Sequence, residues 1–267
     1  MNAETLVIAG YVAAIPTVFT AAIAAWIDRV TAARWSLAAS AGLLCAVAAV
    51  RWVVTAHPPI FGTHENAIAS ALALIITAWF MVRPGSDRAH SAPAALLTLF
   101  ACVTLVYGLF FETALYPLTI SERSLWVDLH VLLAWLAYAQ LLAAVAVAIV
   151  ALAGIADASI ASSASQLGRL GLGFAAFTAM TSVGAFYSFQ LFSDWFRWEV
   201  VESLAAASWV ALGLVIHGRQ FWGWREKRLA AATVMLLPLI VLTYWIWSLY
   251  AGTYHYFEIP MITAGGI

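Results

Sequence analysis

The stretch Gly184–Arg219, GAFYSFQLFSDWFRWEVVESLAAASWVALGLVIHGR, leaves one apolar run and enters another. Between them it holds three aromatics and three charges, in Asp194, Trp195, Phe196, Arg197, Trp198 and Glu199. Flat aromatic faces beside a polar edge suit a large planar ligand carrying ionised groups. An aromatic belt at a membrane interface has the same composition, because Trp and Tyr favour that depth in any membrane protein. Histidines elsewhere in the chain weigh on the choice. His130 follows Trp126-Val-Asp128-Leu at the start of one apolar run, and His255 lies in Tyr254-His255-Tyr256-Phe257-Glu258 near the C-terminus. Neutral imidazole is a common axial ligand of haem iron. A bis-histidine site needs one ring on each side of the macrocycle, and His130 and His255 are the pair chosen here. His57 and His64, in RWVVTAHPPIFGTHENA, are alternatives to either. His217 stands apart, at the far end of its apolar run and two residues before Arg219. An ionisable residue inside a span is a functional candidate by default; so near the end of a span, it also reaches the interface by snorkelling.

The elements that must position these residues are membrane helices. The sequence is 64% hydrophobic and 9% charged, with a mean hydropathy of +0.94. Soluble domains carry roughly 25% charged residues, so this chain belongs in lipid. A net charge of −1 gives no reason to expect nucleic acid. Cys45 and Cys102 sit far apart in apolar runs, outside any CxxC pattern, and supply neither a redox dithiol nor a zinc site. Eight apolar segments approach the ~20 residues that a span requires: about 5–26, 36–54, 66–83, 92–111, 126–153, 170–190, 202–218 and 230–250. Unbroken apolar sequence with no alternation predicts helices over barrel strands. The expected fold is an all-α, polytopic transmembrane bundle forming one domain over residues 1–267. The N-terminus lacks the basic start of a signal peptide and reads as a retained first helix.

Nine of the twelve lysines and arginines fall in the odd-numbered loops: Arg29, Arg34, Arg83, Arg88, Arg169, Arg219, Arg225, Lys227 and Arg228. The positive-inside rule makes those loops cytoplasmic and places both termini outside. The outer face then collects the segments around His57, His130, Trp195 and His255.

Four spaced motifs run colinearly over roughly residues 51–257. The first has Arg51, His57, Pro59 and Glu65; the second has Trp126, His130 and Tyr138-Ala139. The third joins Gly184-Ala185, Trp198, Glu199, Glu202, Trp209, His217 and Arg219; the fourth is Gly252-Thr-Tyr-His255-Tyr256. With these motifs the chain resembles the CcsA/CcmC haem-handling proteins of cytochrome c assembly, the CcsA (ResC) branch in particular. Their hallmark is a tryptophan-rich WWD segment followed by a helix with an acidic residue, Trp and His-x-Arg. The resemblance implies that His130 and His255 ligate haem b at the outer face of a bacterial inner membrane. It places Trp195, Trp198 and Glu199 in the cradle, and makes His217 the match of a histidine serving an inner haem site. It also implies that apocytochrome c meets the haem outside, where two reduced thiols of a CxxCH motif add across the vinyl groups. Such a step needs positioning more than an acid or base from the protein. The propionates need cationic or hydrogen-bonding partners. Arg51, Arg123 and Arg197 are the only cations expected on that face; a solvated loop charge is the alternative for each.

The third motif departs from the family pattern. Trp-x-Trp-Asp-Pro appears as Trp195-Phe-Arg-Trp198-Glu199-Val200, and losing the proline frees a backbone that the family fixes. Two functions follow. One is haem delivery for thioether ligation, with a CcsB-like membrane partner, thiol reductants and apocytochrome c. The other is a haem b subunit of a quinone-linked electron-transfer complex that keeps its haem. A small-molecule permease is a third possibility, and the four motifs argue against it.

Overall fold

A computed structural model describes residues 3–85, 87–111, 113, 124–155 and 162–246, and every regular element in them is helical. The helices are α1 (Ala3–Trp26), α2 (Val30–Thr55), α3 (Thr63–Met81), α4 (Arg88–Gly108), α5 (Leu125–Leu152), α6 (Ser163–Phe192), α7 (Val200–Gln220), α8 (Glu226–Met235) and α9 (Leu237–Val241). A π-helical segment, Leu242–Ile246, follows α9. Eight stretches are long and apolar enough to cross a bilayer, the eighth running from Glu226 to Trp245. The expected eight spans are all present. The eighth is interrupted because Pro238 cannot donate to the preceding turn and its ring crowds that turn. The chain resumes as a short α-helix and a wider π turn.

Contacts divide the described helices into two units, α1–α4 and α5 onward. In the first, α1 packs on α2 and α4, and α3 on the same two helices. Without a hydrophobic drive between helices in lipid, close approach and internal hydrogen bonds hold such a bundle. Tyr11 on α1 donates to the Leu105 carbonyl on α4 at 2.7 Å. A side chain at Gly108 would place its Cβ 2.3 Å from the Tyr11 Oη and 2.6 Å from the Ala67 Cβ; glycine is what lets the three helices meet.

The outer loop expected between the second and third spans is shorter than its polar residues suggest. α2 continues past Arg51 to Thr55, and α3 already begins at Thr63. Arg51, His64 and Glu65 are therefore buried helical residues, and His57 is buried in the turn between the helices. Glu65 Oε1 accepts from Arg51 Nε at 2.8 Å and from Nη2 at 2.7 Å. Arg51 Nη1 donates to the Thr113 carbonyl at 3.0 Å, and Glu65 Oε2 accepts the Phe61 amide at 3.1 Å. Bonding of this kind is the condition for keeping a charge pair out of water. It ties α2, the turn, α3 and the chain beyond α4 together.

In the second unit α5 packs along α6 and α8, and α6 contacts α7. Tyr138 on α5 lies against Phe177 and Tyr244, with ring centroids 5.8 and 4.4 Å away. Ser208 on α7 and Thr243 of the π segment are hydrogen-bonded at 3.1 Å. Tyr138 and Phe177 help fix α5 against α6, and that register sets the candidate site.

Candidate functional site

His130 stands in the second turn of α5. A carbonyl can only accept, so the 2.8 Å contact between His130 Nδ1 and the Met180 carbonyl of α6 makes Nδ1 the donor. The basic lone pair then belongs to Nε2. Metal-ligating histidines are commonly fixed this way, by a main-chain acceptor on the other ring nitrogen. Gly184, one turn beyond Met180, makes the arrangement possible. A Cβ there would lie 2.7 Å from both His130 Cε1 and Nδ1. The imidazole therefore rests directly on the backbone of α6.

One turn before His130, Trp126 meets Phe186 edge to face at 4.7 Å. Phe186 neighbours Trp195 at 6.3 Å, and Trp195 stacks on Phe189 at 4.6 Å with 15° between the rings. The start of α5, the end of α6 and the following turn thus share an aromatic shelf on the end of the unit that carries His130. Beyond it, Phe196 and Trp198 form a second edge-to-face pair at 4.6 Å. Arg197 lies over the Phe192 ring at 4.3 Å. Trp198 is 75% exposed, a large apolar surface for one side chain at the head of a span.

The turn from α6 to α7 is held despite its missing proline. Glu199 is the N-cap of α7 and accepts the Glu202 amide at 3.1 Å. Glu202 reaches back to accept the Arg197 amide at 2.7 Å, a variant of the capping box. Ser203 Oγ donates to the Trp198 carbonyl at 3.3 Å, and Ser188 Oγ to that of Asp194 at 2.9 Å. Proline at the first helical position contributes a preset φ; here Val200 occupies that position and the two glutamates secure the helix start. The expected loosening of this backbone is not what the hydrogen bonding gives. Both Ser193 and Trp198 have positive φ, 58° and 57°, uncommon for side chains of this kind, so the turn holds its two bends against a local backbone preference.

His217 lies in the last turn of α7 and is exposed. Eighteen residues separate it from Glu199, roughly 27 Å along a helix. Its Nδ1 donates to the Gly213 carbonyl at 2.7 Å, and its ring stacks on Phe221 at 5.2 Å. Like His130, it therefore carries its lone pair on Nε2.

Of the residues singled out in the sequence, Trp126, His130, Trp195, Arg197, Trp198 and Glu199 belong to this end of the second unit. Arg51 lies in the first unit, 2% exposed and matched by Glu65. His57 and His64 are in that unit too; His64 Nδ1 donates to the Gly108 carbonyl at 3.0 Å and its ring packs on Tyr11 at 4.3 Å. His255 and Arg123 lie outside the described residues. Gly184 figured in the sequence only as part of a motif, and Phe186, Phe189 and the Met180 carbonyl did not figure at all. The signal for Gly184 was a glycine within an apolar run, two residues before a phenylalanine and downstream of a histidine-bearing helix.

No family model matches the chain, and no curated protein matches it. Among solved structures, the chain is similar to one described as "Cytochrome c Heme Lyase CcmF". The TM-score is 0.72 at 15% sequence identity, with 91% of this chain and 46% of that chain covered. The two share a fold, and this chain spans about half the length of its neighbour.

Proposed function

We propose that this chain binds haem b and presents it at the outer face of a bacterial inner membrane, for thioether attachment to apocytochrome c. The observation that carries the reading is the seating of His130. Its ring lies on Gly184, Nδ1 is committed to the Met180 carbonyl, and an aromatic shelf adjoins it. The fold shared with a cytochrome c haem lyase supports the same reading.

Haem is cargo in this scheme, and it supplies two vinyl groups to which reduced cysteine thiols add. Each addition places S–H across a carbon–carbon double bond with no net oxidation, so the thiols must arrive reduced. The chain's own residues hold and orient. His130 offers Nε2 from one side, and His255 is the proposed ligand from the other. Trp126, Trp195 and Trp198 provide apolar ring faces. Arg197, with Arg123, is assigned to the propionates; Arg51 already has Glu65 as its counter-ion. His217 is assigned to a second haem position, near the other end of its span. The partners proposed are a CcsB-like membrane protein, thiol reductants and apocytochrome c.

A reduced-minus-oxidised spectrum with pyridine haemochrome, taken on the detergent-purified chain, tests this. The wild type should carry b-type haem, and His130→Gly should lose most of it while still inserting in the membrane. Equal haem content and an unchanged spectrum in the variant would remove His130 as a ligand. Rapid reduction of the bound haem by quinol would instead favour an electron-transfer subunit.

A further inference from the structure

At the opposite end of the first unit from Arg51, the turn between α1 and α2 and the chain between α3 and α4 enclose an open-sided cavity of about 920 Å³. Its walls include Asp28, Arg29, Thr31, Arg34, Trp35 and Trp79. Arg34 is held rigidly. Its guanidinium stacks on the Trp79 ring at 4.1 Å, and Nη1 donates to the carbonyls of Trp79 and Val82 at the end of α3. Among the described residues its Nε and Nη2 have no acceptor, and the side chain of the exposed Arg29 makes no hydrogen bond or ion pair. Trp35 is 74% exposed. Two arginines against one carboxylate, Asp28, leave the walls net positive, and Arg88 on the adjoining Trp26 ring, 5.1 Å away, adds to that charge.

The depth of the cavity narrows the ligand. α1 ends at Trp26, α2 begins at Val30 and α3 ends at Met81, so the cavity opens where spans leave the hydrocarbon. Tryptophan and arginine there face the headgroup layer, and basic pockets between transmembrane helices suit anionic lipid headgroups. We infer that this cavity is a binding site for the phosphate headgroup of an anionic phospholipid, with Arg29 and Arg34 on the phosphate and Trp35 beside the glycerol and upper acyl chain. A free phosphate would satisfy the arginines but leave the tryptophan without a partner. A zwitterionic lipid would bring its own cation against them.

Native mass spectrometry of the detergent-purified full chain tests the site, with dioleoyl phosphatidylglycerol and dioleoyl phosphatidylcholine offered at equal concentration. The wild type should retain the anionic lipid several-fold more than the zwitterionic one. Arg29→Gln should abolish most of that preference, and Trp35→Ala should weaken retention of the anionic lipid. Neither side chain is needed to join the helices, so loss of folding does not stand in for loss of binding. Arg225→Gln, a charge removal outside the cavity, should leave the preference intact. No preference in the wild type, or a preference that survives both cavity substitutions, would overturn the assignment. Displacement of the lipid by millimolar inorganic phosphate, with no dependence on acyl chains, would make the site a simple anion site and overturn the lipid as its occupant.

Discussion

The histidine at the centre of the proposed site depends on a residue with no side chain. An alanine methyl at Gly184 would lie 2.7 Å from two atoms of the His130 ring, closer than carbon and nitrogen can approach. The ring would have to leave the α6 backbone, and the bond from Nδ1 to Met180 would break. Gly184→Ala is therefore expected to lower haem recovery to the level of His130→Gly, read by pyridine haemochrome per milligram of purified chain. Gly173→Ala is the matched control, since its Cβ would crowd Leu141 in the same pair of helices without touching His130. It should retain haem; equal loss in both variants would mean that general damage to the packing of α5 and α6 is the cause. At this scale the sequence was half legible. Residue types and spacing pointed to His130, Trp126 and Trp195, because tryptophans and a histidine near span ends have few roles. Gly184 gave its identity but not its partner, which depends on the register of α5 against α6.

For whole elements, the pattern of apolar runs located the helices and misjudged where polar residues belong. His64 and Glu65 were read as residues of the outer loop, and Arg51, at the end of the 36–54 run, was grouped with them on the outer face; a charge in a span is expensive. The structure accepts them inside helices, since Arg51 and Glu65 neutralise each other and share further hydrogen bonds with Thr113 and Phe61. Only a three-dimensional pairing reveals that compensation. Removing one partner leaves the other charge buried and unmatched, a loss on the order of 3 kcal/mol or more. Arg51→Met and Glu65→Met should each lower the thermal melting point of the purified chain sharply, while the double variant should melt closer to the wild type. Single variants that melt like the wild type would show that the pair contributes little to joining α2 and α3. The eighth span shows a related limit. Pro238 was visible in the sequence, but whether a helix kinks, ends or widens at proline depends on its neighbours.

At the scale of the whole molecule, the delivery reading requires one orientation in the membrane. If all eight apolar stretches cross the bilayer, the turns after α2 and α6 would face one side and those after α1, α3 and α7 the other. Basic residues dominate the second set, with Arg29, Arg83, Arg219 and Arg225 at or beside its turns. Lysine and arginine bias sets which loops stay in the cytoplasm. On the proposed orientation, the His130 end of α5 would face outward, toward apocytochrome c, and the Arg29–Arg34 cavity would face the inner leaflet. Alkaline phosphatase is active only outside the cytoplasm, so fusions to successively longer pieces of the chain report each loop. Fusions after Gly62 and Asp194 should be active, and those after Gly85 and Gly223 inactive. The reverse pattern would put His130 and its aromatic shelf on the cytoplasmic side, away from any exported cytochrome, and would end the delivery reading. The lipid site would survive that outcome, because phosphate headgroups line both faces of the membrane, but its lipid would come from the outer leaflet.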